Sequence, residues 1–531
     1  MTLTAARTPS GGIAPPPPRL LSGLIERLHP GVWLALACLL LAALALTLPV
    51  NHDEGQYVAP VTLASHYRAF SDFIYLQTPL QIYVTAPLGP LMAGWSFLGL
   101  RLVNAAMGAA MLALLYRTQR RLQAPRARAL AGCGLLLACY IFQFSTVTAR
   151  NDALPALLEA GALLAMIVAS AGARAPRMLW TLAGLCLGAA TSAKISYALP
   201  LAGAGLFLLV GTARRRIPLL ALFGYSAAGL VGLLPCALAF HAAPEQFLWG
   251  VFTYASQAPV HWYREVGQGV RLGLPWRVMD GAFHMMVGPG LAVLLVVAVA
   301  SVSGWRARAS APPALRLLQV LALCGFLAAF APSPMQRQYF MPLLPPLFAL
   351  WAVREDLGGA AGPRLGKALA GLTIVGVLIG AGNAAYVLGG AAVGLVNGRL
   401  PAALQLTAEA HWIGRTLRAE QAFGPIATPS PQVVADSGEP IDPRFASGAF
   451  AYRSADMVPD DKQRRLHIVS PRTLAGALDS APPAAIVTGY EPPTGKLHRN
   501  VDDDFRAYAR SRGYRLLQSP YGRAELFIRP R

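Results

Sequence analysis

Long apolar runs, interrupted at short intervals by arginine-rich turns, constrain this chain more than any other feature. Eleven of them fall near 31–50, 101–116, 129–147, 153–173, 178–193, 196–211, 217–240, 285–303, 315–331, 339–353 and 367–390. At about 1.5 Å of rise per residue, each spans or nearly spans ~30 Å of hydrocarbon. Inside a bilayer no water satisfies the backbone N–H and C=O groups, so such runs must be helical. Composition agrees. Of 531 residues, 55% are hydrophobic and 13% are charged, against roughly 25% charged in soluble domains. The acids are uneven: 11 of the 25 lie in residues 1–400 and the other 14 in 401–531. The expectation is an all-α polytopic membrane domain over 31–400, with about 11 transmembrane helices plus interfacial helices. A small C-terminal α/β extracytoplasmic domain over 401–531 follows it.

The arginines set the orientation. One set of turns holds Arg117, Arg120, Arg121, Arg126 and Arg128, then Arg174 with Arg177, Arg214 to Arg216, Arg306 with Arg308 and Arg316, and Arg354 with Arg364 and Lys367. The opposite turns are poorer, with Arg68, Arg150, Lys194, Arg264, Arg271, Arg277 and Arg337. Cytoplasmic loops are the Lys/Arg-rich ones. The stretch Leu80 to Leu100 is apolar but broken by Pro87, Gly89, Pro90 and Gly94. A crossing there would invert the charge bias, so it reads as an interfacial or re-entrant segment. Eleven crossings leave the N-terminus inside and the C-terminal domain outside.

Residues 1–30, with Pro15 to Pro18 and an amphipathic stretch Leu20 to Leu28, read as a disordered lead-in with an interfacial helix. Within 401–531, helices are expected over 402–421 and 501–512. Strand-like runs are Gln432 to Ala435, His467 to Ser470, Ala484 to Thr488 and Leu526 to Ile528. All six cysteines lie in apolar runs and read as small core residues. The net charge of +20 is carried by membrane-flanking arginines and gives no reason to invoke nucleic acid.

The outer face gathers a short list of polar groups. Asp53 and Glu54 follow the first run directly, and adjacent carboxylates near hydrocarbon need a reason beyond solvation. Thr148-Ala149-Arg150-Asn151-Asp152 closes the third run, where Asp152 is either a helix cap or a functional acid. Lys194 lies between two runs, where it either snorkels or joins Arg150 and Arg337 in a positive pocket for phosphate. Gln336-Arg337-Gln338-Tyr339-Phe340-Met341-Pro342 opens the tenth run. Glu159, two turns inside the fourth run, has no account at this level.

These motifs occur in an order that resembles a known class. Asp-Glu follows the first span and Arg101-Leu102 opens the next. Arg-x-Asp follows the third, a Gly-rich span ends in lysine, and Arg-x-Tyr-x-x-Pro-x-x-Pro stands at the tenth. Together they resemble the polytopic glycosyltransferases of the GT-C fold, nearest the protein O-mannosyltransferases, the aminoarabinose transferases of lipid A and bacterial relatives that decorate lipopolysaccharide. The resemblance covers most of 30–350. It implies an inverting transferase that moves a sugar from a polyprenyl-phosphate donor to a glycolipid, glycan or protein, in a bacterial inner membrane with its active site facing the periplasm. On that reading Asp53 is the general base, Glu54 tunes it or contacts acceptor or metal, and Asp152 is the second acid. Lys194, Arg337 and Arg150 meet the donor phosphate, and Tyr339 lines the pocket or holds the phosphate by its hydroxyl. His52, His66 and the acids could bind a divalent ion. One departure stands out: many relatives carry Lys-Pro-Pro where this chain reads Gln77-Thr78-Pro79, so that charge is missing.

Two other classes compete. A transporter or flippase places charges near the midplane on broken helices, whereas most runs here hold no acid and the polar groups cluster at outer ends. A non-catalytic membrane scaffold would leave Asp53 and Asp152 replaceable.

Overall fold

The computed structural model describes residues 29–172, 175–303, 312–354, 362–493 and 500–531. The expected interfacial helix at Leu20 to Leu28 lies outside them. Among the described residues six helices are long and apolar enough to cross a membrane, or up to nine if each of three bent pairs is one crossing. The six are Pro30–Thr47, Ser96–Arg121, Ala153–Ser170, Ile195–Ala213, Pro313–Phe330 and Pro363–Val396. The bent pairs turn by 70° at Cys139, 41° at Leu233 and 103° after Met286. Two of the eleven expected runs fall short. Pro176–Ala193 is a full helix, but Arg177, Thr181, Thr191 and Ser192 dilute its apolar character. The 339–353 run opens as a 3-10 turn, Arg337–Leu343, and leaves only nine α-helical residues, Leu344–Ala352. Pro342, Pro345 and Pro346 have no N–H to give, which favours this late start. The 80–100 stretch forms the six-residue helix Leu80–Thr85, a 3-10 turn Ala86–Met92 and a bend at Gly94 with φ 78°. No helix of spanning length forms over 80–95, and residues 96–100 open the long helix Ser96–Arg121.

Glycines bring the helices together. A Cβ on Gly188 would come 2.2 Å from Gly229 O, and one on Gly184 2.1 Å from Tyr225 O, so Pro176–Ala193 and Leu219–Gly232 touch backbone to backbone. Small residues of this kind permit close approach where lipid supplies no hydrophobic drive.

The last 130 residues carry a four-stranded sheet in the order β1-β2-β4-β3, with β1 Ile426–Ala427, β2 Ala485–Thr488, β3 Arg515–Gln518 and β4 Glu525–Ile528. Strand β1 runs parallel to β2, and the other pairings are antiparallel. Helices Ala402–Ala419 and Val501–Ser511 match the expected ones. Two expected strands do not form. Pro431 opens a 3-10 turn, Pro431–Val433, in place of a strand at 432–435. At 467–470, His467 takes φ 55° as the chain leaves the helix Asp460–Arg465, a left-handed conformation that breaks an extended run. The sheet and the segment between the first two long helices share one core: Val58, Phe70, Phe73 and Phe97 pack in the same buried cluster as Leu406, Ile426, Val487 and Leu526. The C-terminal segment is thereby fixed over the polar end of the helices.

Candidate active site

The loop after the helix Pro30–Thr47 is shaped by its own side chains. Asn51 caps the 3-10 turn His52–Glu54, accepting from Asp53 N at 3.0 Å, while Glu54 accepts from Asn51 N at 2.9 Å. This turn sends adjacent acids in opposite directions. Glu54 is fully buried and meets Arg101 with two bonds of 2.7 and 2.6 Å. It also accepts from Ala149 N at 2.7 Å. With Asn51 N, that makes four donors on two oxygens, the full capacity of a carboxylate. Arg101 spends its remaining N–H groups on Ala45 O, Leu48 O and Pro49 O at 3.0, 2.8 and 3.2 Å. Glu54 therefore has no lone pair left for an acceptor or a metal. It ties the 51–54 turn to the loop at 148–152.

Asp53 points the other way and heads a chain of alternating charge. Its Oδ2 pairs with Arg150 Nη1, Arg150 Nε donates to Asp152 Oδ2 at 3.0 Å, and Asp152 Oδ1 pairs with Lys194 Nζ. Along this chain the exposed fraction of the side chains is 21% for Asp53, 3% for Arg150, 0% for Asp152 and 8% for Lys194. Asp53 is thus the acid a substrate can reach. Burial pushes its carboxyl up, but the opposing pull of Arg150 and His52 prevails and holds it below the usual carboxylate value. His52 Nε2 lies 3.1 Å from Asp53 Oδ1, and burial lowers its pKa less than Asp53 and Glu491 raise it. Asn104 holds the second loop in place, donating to Thr148 O and Arg150 O at 2.6 and 2.8 Å. Gln77 accepts from Asn151 Nδ2 at 3.3 Å, so the departure Gln77-Thr78-Pro79 borders this same loop.

Lys194 Nζ stands 5.6 Å from the ring centre of Tyr339. Arg337 lies over Tyr140 and Phe144 at 5.0 and 4.9 Å, and Phe144 also faces Arg150 at 5.5 Å. The structure therefore brings Asp53, Arg150, Asp152, Lys194, Arg337 and Tyr339 together and sets Glu54 apart. Among the described residues Arg337 makes no ion pair, while Arg150 and Lys194 are held by carboxylates. No group of three or more His, Cys, Asp or Glu side chains among the described residues is arranged to hold a metal ion.

Sequence reasoning missed the contribution of the C-terminal segment. Glu491 Oε2 approaches His52 Nδ1 at 3.7 Å and is itself held by Ser430 Oγ at 2.8 Å. Phe450 faces the His52 ring at 5.2 Å, and the Arg453 guanidinium covers Phe450 at 4.4 Å and Trp262 at 5.0 Å. Phe450, Arg453 and Glu491 lie some 400 positions from Asp53 in a segment with no motif, and only the fold reveals their convergence.

Comparison with known proteins gives the same class. Residues 77–240 match the family profile of dolichyl-phosphate-mannose-protein mannosyltransferase, a range that holds Arg101, Arg150, Asp152 and Lys194 but not Asp53 or Arg337. No curated protein sequence matches the chain significantly. Among solved structures, ArnT from Cupriavidus metallidurans bound to undecaprenyl phosphate is 17% identical, with a TM-score of 0.55 over 94% of this chain and 97% of that one. The apo oligosaccharyltransferase of Archaeoglobus fulgidus is 12% identical, with a TM-score of 0.51 over 86% of this chain and 69% of that one. The likeness is one of fold: the chain has the fold of the GT-C membrane glycosyltransferases, and the partial family match points to the same class of enzyme.

Proposed function

We propose that the chain transfers a sugar from a polyprenyl-phosphate donor to a hydroxyl of a glycolipid, glycan or protein at the periplasmic face of a bacterial inner membrane, with inversion. The arginine bias supports the orientation, and the ArnT and mannosyltransferase likenesses support the donor class. The observation that carries the reading is Asp53: a reachable, ionised carboxylate paired with Arg150, in a chain of charges that runs on to Lys194, with Arg337 sharing the Phe144 ring with Arg150.

In this mechanism Asp53 takes the proton of the acceptor hydroxyl as its oxygen attacks the anomeric carbon. The bond from that carbon to the phosphate oxygen breaks, and the lipid phosphate leaves with the electron pair. Arg337 and Lys194 stabilise the charge that develops on the phosphate. Arg150 couples the two events. A phosphate that draws Arg150 away from Asp53 makes the carboxylate a stronger base at the moment it is needed. Asp152 holds Arg150 and Lys194 in register, Tyr339 flanks Lys194, and Glu54 keeps the first and second outer loops together.

The test is a mass-spectrometric profile of glycans and lipids from host cells lacking the protein, with wild type or Asp53→Asn restored. A sugar that is lost in the deletion and returns only with wild type supports the reading and identifies the product. Full restoration by normally expressed Asp53→Asn overturns the assignment of the base.

A further inference from the structure

A cavity with basic residues in its walls lies in the C-terminal segment, away from the Asp53 chain. It encloses about 530 Å³, within the usual range for small-molecule sites. Its walls carry Arg444, Arg464, His467 and Arg472 against the single acid Asp460. The cations differ in what they have left to give. Arg444 is spent, holding Asp442, Ala477 O and Ala481 O. Arg472 pairs with Asp460 at 2.6 Å where both side chains are more than half exposed, an exchangeable contact. Arg464 and His467 make no ion pair among the described residues. The left-handed backbone at His467 turns the chain so that His467 and Arg464 line the same cavity. The opposite wall is low, since a Cβ on Gly476 would meet nothing within 4 Å.

Position gives this cavity a role. The helix Asp460–Arg465, which supplies Arg464, also grips the corner after the helix Leu234–Ala242. Arg465 Nε and Lys462 Nζ reach Glu245 at 3.3 and 3.9 Å. That corner ends one of the bent apolar pairs, so the cavity stands beside the outer boundary of the membrane domain. Ile468, in its wall, packs in one buried cluster with Phe450 and Tyr254, and Phe450 faces His52. The cavity and the site around Asp53 thus share a packed wall.

We propose that this cavity binds a phosphate-bearing saccharide, the headgroup of a glycolipid acceptor whose hydroxyl reaches Asp53. Two guanidinium groups and an imidazole offer several N–H donors to a tetrahedral anion, the geometry in which arginine binds phosphate best. The remaining volume and the low wall at Gly476 accommodate sugar. The acceptor role rests on the transferase reading; the binding itself does not.

The experiment titrates full-length protein in phosphatidylcholine nanodiscs with glucose 1-phosphate, glucose and inorganic phosphate by calorimetry. Glucose 1-phosphate is expected to bind, glucose not at all and inorganic phosphate more weakly. The double variant Arg464→Ala/Arg472→Ala should weaken the sugar phosphate by about tenfold or more. Arg337→Ala and Asp53→Asn should leave that affinity unchanged. Unchanged affinity in the double variant, or loss of binding in Arg337→Ala instead, overturns the proposal. Equal binding of inorganic phosphate overturns its saccharide part. Loss of binding in phosphatidylglycerol nanodiscs would make bilayer lipid the occupant and also contradict it. A glycan and lipid profile unchanged by deletion of the protein would sink the transferase reading and leave this binding result standing.

Discussion

At the scale of single residues, the adjacent acids Asp53 and Glu54 have opposite fates. Glu54→Ala removes the partner of a fully buried arginine, which costs about 3–5 kcal/mol in such pairs. We expect a large fall in melting temperature, read by differential scanning fluorimetry in detergent. Asp53 responds through pH instead. Its carboxyl lies below the usual value in the free protein, so the ionised base is lost only as pH falls through that lowered value. If the donor phosphate draws Arg150 away, the acid limb of kcat lies at higher pH than that of kcat/KM. Coincident acid limbs would remove Arg150 from the coupling. Glu159 gives a third test. It is fully buried with neither carboxylate oxygen bonded, the arrangement that costs most in a packed interior. Glu159→Met should raise the melting temperature and leave transfer unchanged; loss of activity would revive a transport pathway through the helices. The sequence exposed the Asp-Glu pair because acids are rare near apolar runs. It held no sign of which acid faces inward, since that depends on Asn51 and on Arg101, far along the chain from Glu54.

Elements show where periodicity and charge suffice and where they fail. Runs with clean apolar stretches, such as Pro30–Thr47 and Ala153–Ser170, became the helices their composition requires. The bends did not announce themselves. Cys139 breaks Arg126–Ala138 from Tyr140–Val147 by 70°, and Tyr140 N is satisfied from another segment, by Val287 O at 3.0 Å. Short strands failed for a related reason: β1 has two residues and β3 alternates weakly, so neither carries a readable pattern. The glycine contact between Pro176–Ala193 and Leu219–Gly232 also belongs here. Gly188→Leu must push apart backbones that now touch, and overpacking of this kind costs about 1–3 kcal/mol. Because Lys194 ends the first of these helices, the same change should also weaken donor binding, measured by titration with polyprenyl phosphate. In the C-terminal segment, Asp502 accepts from Gly489 N and Glu491 N at 2.9 and 3.1 Å, and burial pushes its carboxyl up to about 7. A raised acid contributes stability that is full below about 4 and is lost as pH rises to about 7. Asp502→Asn keeps an acceptor for both N–H groups and should flatten that region of the stability–pH curve.

For the whole molecule, the convergence of Asp53, Arg150, Lys194 and Arg337 bears on topology. They close the first, third and fifth expected runs and open the tenth, so their meeting favours Ala153–Ser170 and Pro176–Ala193 as an out-and-back pair. The C-terminal segment then completes the site from above with His52's partners Glu491 and Phe450. The central claim is that Asp53 accepts the acceptor's proton during sugar transfer. It is tested most directly by the transfer rate of purified Asp53→Asn, matched to wild type in melting temperature, with labelled polyprenyl-phosphate sugar and host glycolipid as acceptor. The account predicts a fall of about 10²- to 10⁴-fold in kcat; transfer at the wild-type rate would contradict it.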